Sequence, residues 1–114
     1  MALPEKLIYA TARRWPRFSV DLSLRVRVPG SVENEYVLAH GREVSQGGMA
    51  LYVPLEMEIG DVIELELSFP GVDEPVKLRA TVRNRRGFIY GVEFLNPTPE
   101  QQNVILTNLH QLVR

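Results

Sequence analysis

Two stretches of the chain carry residue types that can grip an anionic, aromatic ligand. The first is Arg13-Arg14-Trp15-Pro16-Arg17, with three guanidinium groups in five residues. A guanidinium is planar and permanently charged. It forks onto phosphate oxygens, stacks on ring faces and pairs with the O6 and N7 edge of guanine. Pro16 fixes its own φ and biases Trp15 away from helix, so the stretch reads as an extended, stiffened arm. Such an arm either holds a guanine nucleotide by phosphate and base together or is a solvated basic segment. The second stretch is Glu43-Val44-Ser45-Gln46-Gly47-Gly48. On a strand, a carboxylate and a hydroxyl two residues apart point to one side. The carboxylate accepts from base N–H groups, and the hydroxyl donates or accepts. Gly47 and Gly48 permit a sharp turn and the close approach of a ligand; taken alone they read first as a hairpin bend.

Enzyme chemistry finds little support. His40 and His110 are the only histidines, and neither has an acid or serine at a spacing that implies a triad. Metal-site spacing and a Walker-type phosphate loop are absent. The chain has no cysteine, which excludes disulfides and thiolate metal sites and fits a reducing cytoplasm. Glu64 and Glu66 read as a solvated outer face. Arg83, Arg85 and Arg86 read as a solvated hairpin tip, with extension of the basic site as the other option. Arg25 and Arg27 either frame a ligand surface or keep the sheet wet. Trp15 either stacks on a base or caps a barrel rim. Met49 and Tyr52 read as packing residues.

The chain has 114 residues and a net charge of −1, which argues for one domain and against a nucleic-acid coat or a polybasic membrane anchor. The charge is uneven: residues 13–27 hold five arginines against one acid, Asp21, a local charge of +4. No apolar run approaches the roughly 20 residues of a membrane span, and the start, Met1 to Lys6, has no signal-peptide pattern. The expected setting is cytoplasmic. The expected division is a lead-in over 1–12 and one domain over 13–114.

The elements that must position the two stretches are mostly strands. Phe18, Val20, Leu22, Leu24, Val26 and Val28 alternate with polar residues, a half-buried strand ended by Pro29-Gly30. A second strand is predicted over Tyr36–Ser45, with Tyr36, Leu38 and His40 on one side and a bulge at Gly41. Met49–Val53 resumes the pattern after the Gly-Gly turn. Further strands are predicted over Ile63–Phe69, Val76–Arg83 and Phe88–Phe94, with Asn84-Arg85-Arg86-Gly87 as a hairpin loop. Thr98-Pro99-Glu100-Gln101 then opens a helix: an N-cap, Pro at the first helical position and Gln three residues after the cap. Ile105, Leu109 and Leu112, flanked by Val104 and Val113, give its apolar stripe, over about four turns. The fold class is all-β: a six-stranded antiparallel β-barrel, closed so that no edge is exposed, with a C-terminal α-helix.

Together the two stretches resemble the signature of PilZ domains. Arg13 to Arg17 matches R-x-x-x-R before the first strand, and Glu43 to Gly48 matches the D/N-x-S-x-x-G element that follows it. Gly60-Asp61-Val62-Ile63-Glu64-Leu65, Ala80-Thr81-Val82-Arg83 and Tyr90-Gly91-Val92-Glu93-Phe94 resemble the family's later strands. The likeness covers about residues 12–113. It implies the same barrel and helix, and it implies binding of the bacterial second messenger cyclic di-GMP as a ligand, with no cofactor. Carried onto this chain, it makes Arg13 and Arg17 the primary binders, with Arg14 an additional candidate. Ser45 and Gly48, with Gly47 between the matched positions, form the other side of the site. Glu43 departs from the pattern, because the family has Asp or Asn there and Glu is one methylene longer.

The expected function is a cyclic di-GMP receptor whose like-charged arm folds onto the barrel when the dianionic ligand neutralises it. The new surface would signal in trans to an unidentified partner protein. The alternative is a PilZ-like adaptor that makes protein contacts and binds no nucleotide, a reading that Glu43 favours. A small barrel binding single-stranded nucleic acid is a third option, opposed by the net charge.

Overall fold

The computed structural model describes residues 17–30 and 35–109. Strands β1 (Phe18–Arg27), β2 (Val37–Val44), β3 (Gly48–Tyr52), β4 (Val62–Leu67), β5 (Val76–Arg86) and β6 (Ile89–Phe94) are followed by helix α1 (Pro99–Leu109). All neighbouring strands are antiparallel, and they close in the order β1-β2-β3-β6-β5-β4. Closure satisfies every strand edge with a neighbour, as expected for a short-turn all-β chain. The lead-in, Arg13 to Pro16, and His110, Leu112 and Val113 lie outside the described residues.

Alternation builds the interior. Val20, Leu22, Leu24 and Val26 of β1 face inward with Leu51, Ile63, Leu65, Leu67, Leu78, Val82, Tyr90 and Val92. Ile105 of α1 belongs to the same buried cluster and Val104 packs against it, so the helix contributes to the barrel core. Phe69 joins the core just past β4, whereas Phe18 stays exposed at the strand's beginning.

A buried tyrosine needs a partner for its hydroxyl. Tyr90 Oη donates to the Leu55 carbonyl (2.9 Å) and accepts from the Met57 N–H (2.9 Å), stapling the loop between β3 and β4 onto β6. Arg85 reinforces that loop by donating to the Met57 carbonyl and stacking over Tyr90.

Tyr36 and Leu38 share one side of the second strand and face out, Leu38 being 73% exposed, while Ala39 and Gly41 face the interior and Val37 packs against it. Two expectations are corrected. Asn84, Arg85 and Arg86 are not a loop; β5 runs through Arg86, and the turn is Gly87-Phe88. Their exposed positions suit polar side chains while the backbone pairs with β6. Glu64 is not simply solvated either. Its carboxylate accepts from Nε and Nη2 of Arg27, and Arg27 also lies over the Tyr36 ring.

The helix begins as its sequence dictates. The Thr98 N–H donates to Gln101 Oε1 (3.0 Å) and the Gln101 N–H donates to Thr98 Oγ1 (3.1 Å), a reciprocal capping box. Gln101 Nε2 also reaches the Lys77 carbonyl on β5 (2.8 Å), which anchors the cap to the barrel. Thr98→Ala is expected to lower stability by about 1 kcal/mol, read as a shift in the chemical-denaturation midpoint with an unchanged slope.

Candidate ligand-binding site

A register slip in β2 makes the site. Gly41 pairs with Leu51 and Glu43 with Ala50, so β2 holds one residue more than β3 between these pairs. The extra residue, Arg42, breaks the alternation, and both Arg42 and Glu43 face outward before Val44 returns to the core. A bulge of this kind re-aims side chains. Here it aims Glu43 at Arg17, whose Nη1 lies 3.6 Å from Glu43 Oε2, with the side chains 41% and 40% exposed. At that exposure the pair is screened by solvent and holds the two groups only loosely, by about 0.2–1 kcal/mol.

The turn after β2 is built by its own serine. Ser45 Oγ accepts from the N–H groups of Gly47 (3.2 Å) and Gly48 (3.2 Å) and donates to the Gly48 carbonyl (3.3 Å). The Ser45 N–H donates to the same carbonyl (2.9 Å), and the Phe94 N–H donates to the Gly47 carbonyl (2.9 Å), which fixes the turn against β6. Ser45 is nearly buried. Glu43 and Ser45 thus do not present themselves as alternate residues of one strand: Glu43 points out from β2, and Ser45 is spent on shaping the turn. Gly48 is required by contact. A Cβ built there overlaps the Val92 carbonyl oxygen and comes 3.2 Å from Glu93 Cα.

These groups line one cavity of about 590 Å³ that includes Arg17, Glu43, Ser45, Gly47 and Gly48. Its far wall is Arg83, Asn84 and Glu93. Of the two options for Arg83, a hairpin tip or an extension of the basic site, its position beside the cavity fits the second; it is paired with Glu93, with Nη2 to Oε1 at 2.8 Å. Nothing in the local sequence signals this pair, because its two residues meet only through strand pairing. Arg13 and Arg14, the remaining arginines assigned to the site, lie outside the described residues. Arg85 is committed to the β3–β4 loop, and neither Arg85 nor Arg86 lines the cavity.

The cavity can hold a ligand with both anionic and hydrogen-bonding edges. It offers cations (Arg17, Arg83), acceptors (Glu43, Glu93) and a floor kept low at Gly48 and Ala50, with the Asn84 side chain lying over Gly91. Among the described residues, no group of three histidines or acids is placed to hold a metal ion. No described helix is long and apolar enough to cross a membrane. One contact was not foreseen from spacing: His40 Nε2 lies 2.7 Å from Asp21 Oδ1, and Ser23 stands opposite His40 in the register. His40 and Asp21 are roughly half exposed on the open outer face and do not line the cavity, so the pair lacks the enclosed setting of a catalytic triad.

The fold is a small closed antiparallel β-barrel of six strands, with a cavity at its side lined by an arginine and a serine-capped Gly-Gly turn. The PilZ domain family profile matches residues 11–111, nearly the whole chain, and the chain belongs to that family. No curated protein sequence matches it. Among solved structures it is similar to the Bacillus subtilis inhibitor of motility (MotI/DgrA), with TM-score 0.66 and 16% identity over 87% of this chain and 50% of the other. It is also similar to the PilZ domain of Escherichia coli YcgR with c-di-GMP, with TM-score 0.64 and 18% identity over 87% and 92%. The K. pneumonia MrkH–c-di-GMP complex gives TM-score 0.63 and 19% identity over 87% and 50%. The chain therefore spans about half the length of the first and last of these. At such identities the likeness is one of fold.

Proposed function

We propose that this chain is a cyclic di-GMP receptor and that the ligand occupies the cavity between Arg17 and the Ser45–Gly48 turn. The observation that carries the proposal is the convergence of Arg17, Glu43 and the turn on one cavity, although Arg17 and Glu43 lie on different strand approaches and far apart in sequence. The c-di-GMP complexes of YcgR and MrkH, which share the fold, support the choice of ligand. Arg13 and Arg14 then join Arg17 around the phosphates and guanine edges. Gathering them changes the surface beside β1, and a partner protein reads that change in trans. The protein acts as a binding module, and its expected setting is the cytoplasm.

Calorimetric titration with cyclic di-GMP tests this. A saturable heat with a defined stoichiometry is expected. No heat, together with no thermal shift at saturating ligand, refutes it.

A second reading has one observation in its favour. Glu43 stands where the family pattern has Asp or Asn, and its carboxylate is within ion-pair distance of Arg17. An adaptor that binds no nucleotide would tolerate this self-neutralised pair. That reading requires a partner pull-down that survives removal of Arg13 and Arg17.

A further inference from the structure

We propose that Arg83 reads a guanine base from the far wall of this cavity and so selects guanine over adenine in the ligand. The inference rests on the cavity being the cyclic dinucleotide site. Between Val82 and Asn84, β5 holds one residue more than its partner β6, and the extra residue is Arg83. A bulge breaks the alternation and turns a side chain to a new direction, here to the cavity wall.

Glu93 then sets how Arg83 is presented. One oxygen, Oε1, accepts from both Nε (3.2 Å) and Nη2 (2.8 Å). This orients the guanidinium by its side edge, in a pair whose side chains are 56% and 57% exposed. Its terminal Nη1–Nη2 edge carries no second partner among the described residues. A free terminal fork matches the O6 and N7 acceptors of guanine, whereas adenine puts an amino donor where guanine has O6. Because Glu93 already balances the charge, Arg83 adds little general attraction for phosphate, and what remains is a directional contact.

The spacing suits a ligand with two ends. Glu43, Ala50, Gly91 and Asn84 stand side by side on β2, β3, β6 and β5. Three strand spacings of about 4.8 Å put the two walls roughly 14 Å apart along the sheet. The floor between them is Gly48 and Ala50, which carry nothing beyond a methyl group, and Gly91, over which the Asn84 side chain lies and from which this exposed side chain can turn to admit a ligand. A dinucleotide can place one end at Arg17 and a base at Arg83.

The test is calorimetric titration of cyclic di-GMP and cyclic di-AMP into the wild type, Arg83→Ala, Arg83→Lys and Arg86→Ala. Arg86 is exposed on the same strand and outside the cavity, so its removal changes net charge equally without touching the wall. Arg83→Ala is expected to weaken cyclic di-GMP by about 10-fold and to leave cyclic di-AMP nearly unchanged. Lysine has no fork, so Arg83→Lys should behave like the alanine variant, and Arg86→Ala should change neither ligand. Equal weakening of both ligands by Arg83→Ala, or unchanged affinity for cyclic di-GMP, overturns the role of Arg83 while leaving the receptor intact. No binding by the wild type overturns the dinucleotide site and this inference with it.

Discussion

Gly48→Ala is expected to destabilise the protein by about 3 kcal/mol, a fall in melting temperature of roughly 10–20 °C for a domain of this size. The reason is the direction of the missing Cβ. It points into the Val92 carbonyl and toward Glu93 Cα, which are backbone atoms of the paired strand β6. Backbone in a closed barrel cannot step aside without breaking the ladder that holds Gly48 opposite Glu93. The same change at Gly91 is the control. There the added methyl meets the Asn84 side chain, 2.5 Å from Oδ1, and a surface side chain can rotate away at about 1 kcal/mol. Thermal melts of the two variants should therefore differ widely. Equal melting temperatures would show that β3 and β6 separate more easily than their pairing implies. Gly48→Ala should also lose ligand binding at temperatures where it stays folded, because the displaced turn carries Ser45 and Gly47 with it.

Arg17→Ala is expected to weaken cyclic di-GMP by about 1.5–3 kcal/mol, roughly 10- to 150-fold, with stability almost unchanged. Arg17 is exposed, and its described partner is the carboxylate of Glu43, held through a solvent-screened contact. Its removal therefore costs the fold little, while a phosphate or guanine edge in the cavity loses a charge-assisted donor. Glu43 opposes the same event, because the ligand must draw Arg17 away from it. Glu43→Asn, which restores the family's residue type, is expected to tighten binding by about two- to fivefold, the size of the contact released. In an Arg17→Ala background that gain should vanish, since no pair is left to break. Calorimetry on the two single variants and the double variant measures the coupling directly. A gain that persists without Arg17 would assign Glu43 to the ligand alone.

Where local pattern and burial agree, the fold was legible. The alternation of Val20, Leu22, Leu24 and Val26 needed no partner to be read, because one inner face imposes period two. The helix start was equally plain, since Thr98 and Gln101 satisfy each other's backbone N–H groups within one turn and Pro99 has none to satisfy. That Tyr36 and Leu38 share a side was legible, but not that it is the outer one, because apolar residues stand on both faces: Val37, Ala39 and Val44 line the inner one with Gly41. The end of β5 misled: Asn84, Arg85 and Arg86 look like loop, but pairing with β6 costs an exposed polar side chain nothing.

The same division holds at the site. By itself the sequence determined that a Gly-Gly turn follows the second strand, that a closed antiparallel barrel carries it, and that a helix follows. Each of these depends on contacts among near neighbours or on periodicity along one strand. Only the tertiary structure decided that Glu43 faces Arg17, that Ser45 is consumed in its turn, and that Arg83 with Glu93 forms the opposite wall. Those outcomes turn on single extra residues in β2 and β5. A one-residue slip reverses which way a side chain points, and where the slip falls is settled by the pairing of strands distant in sequence.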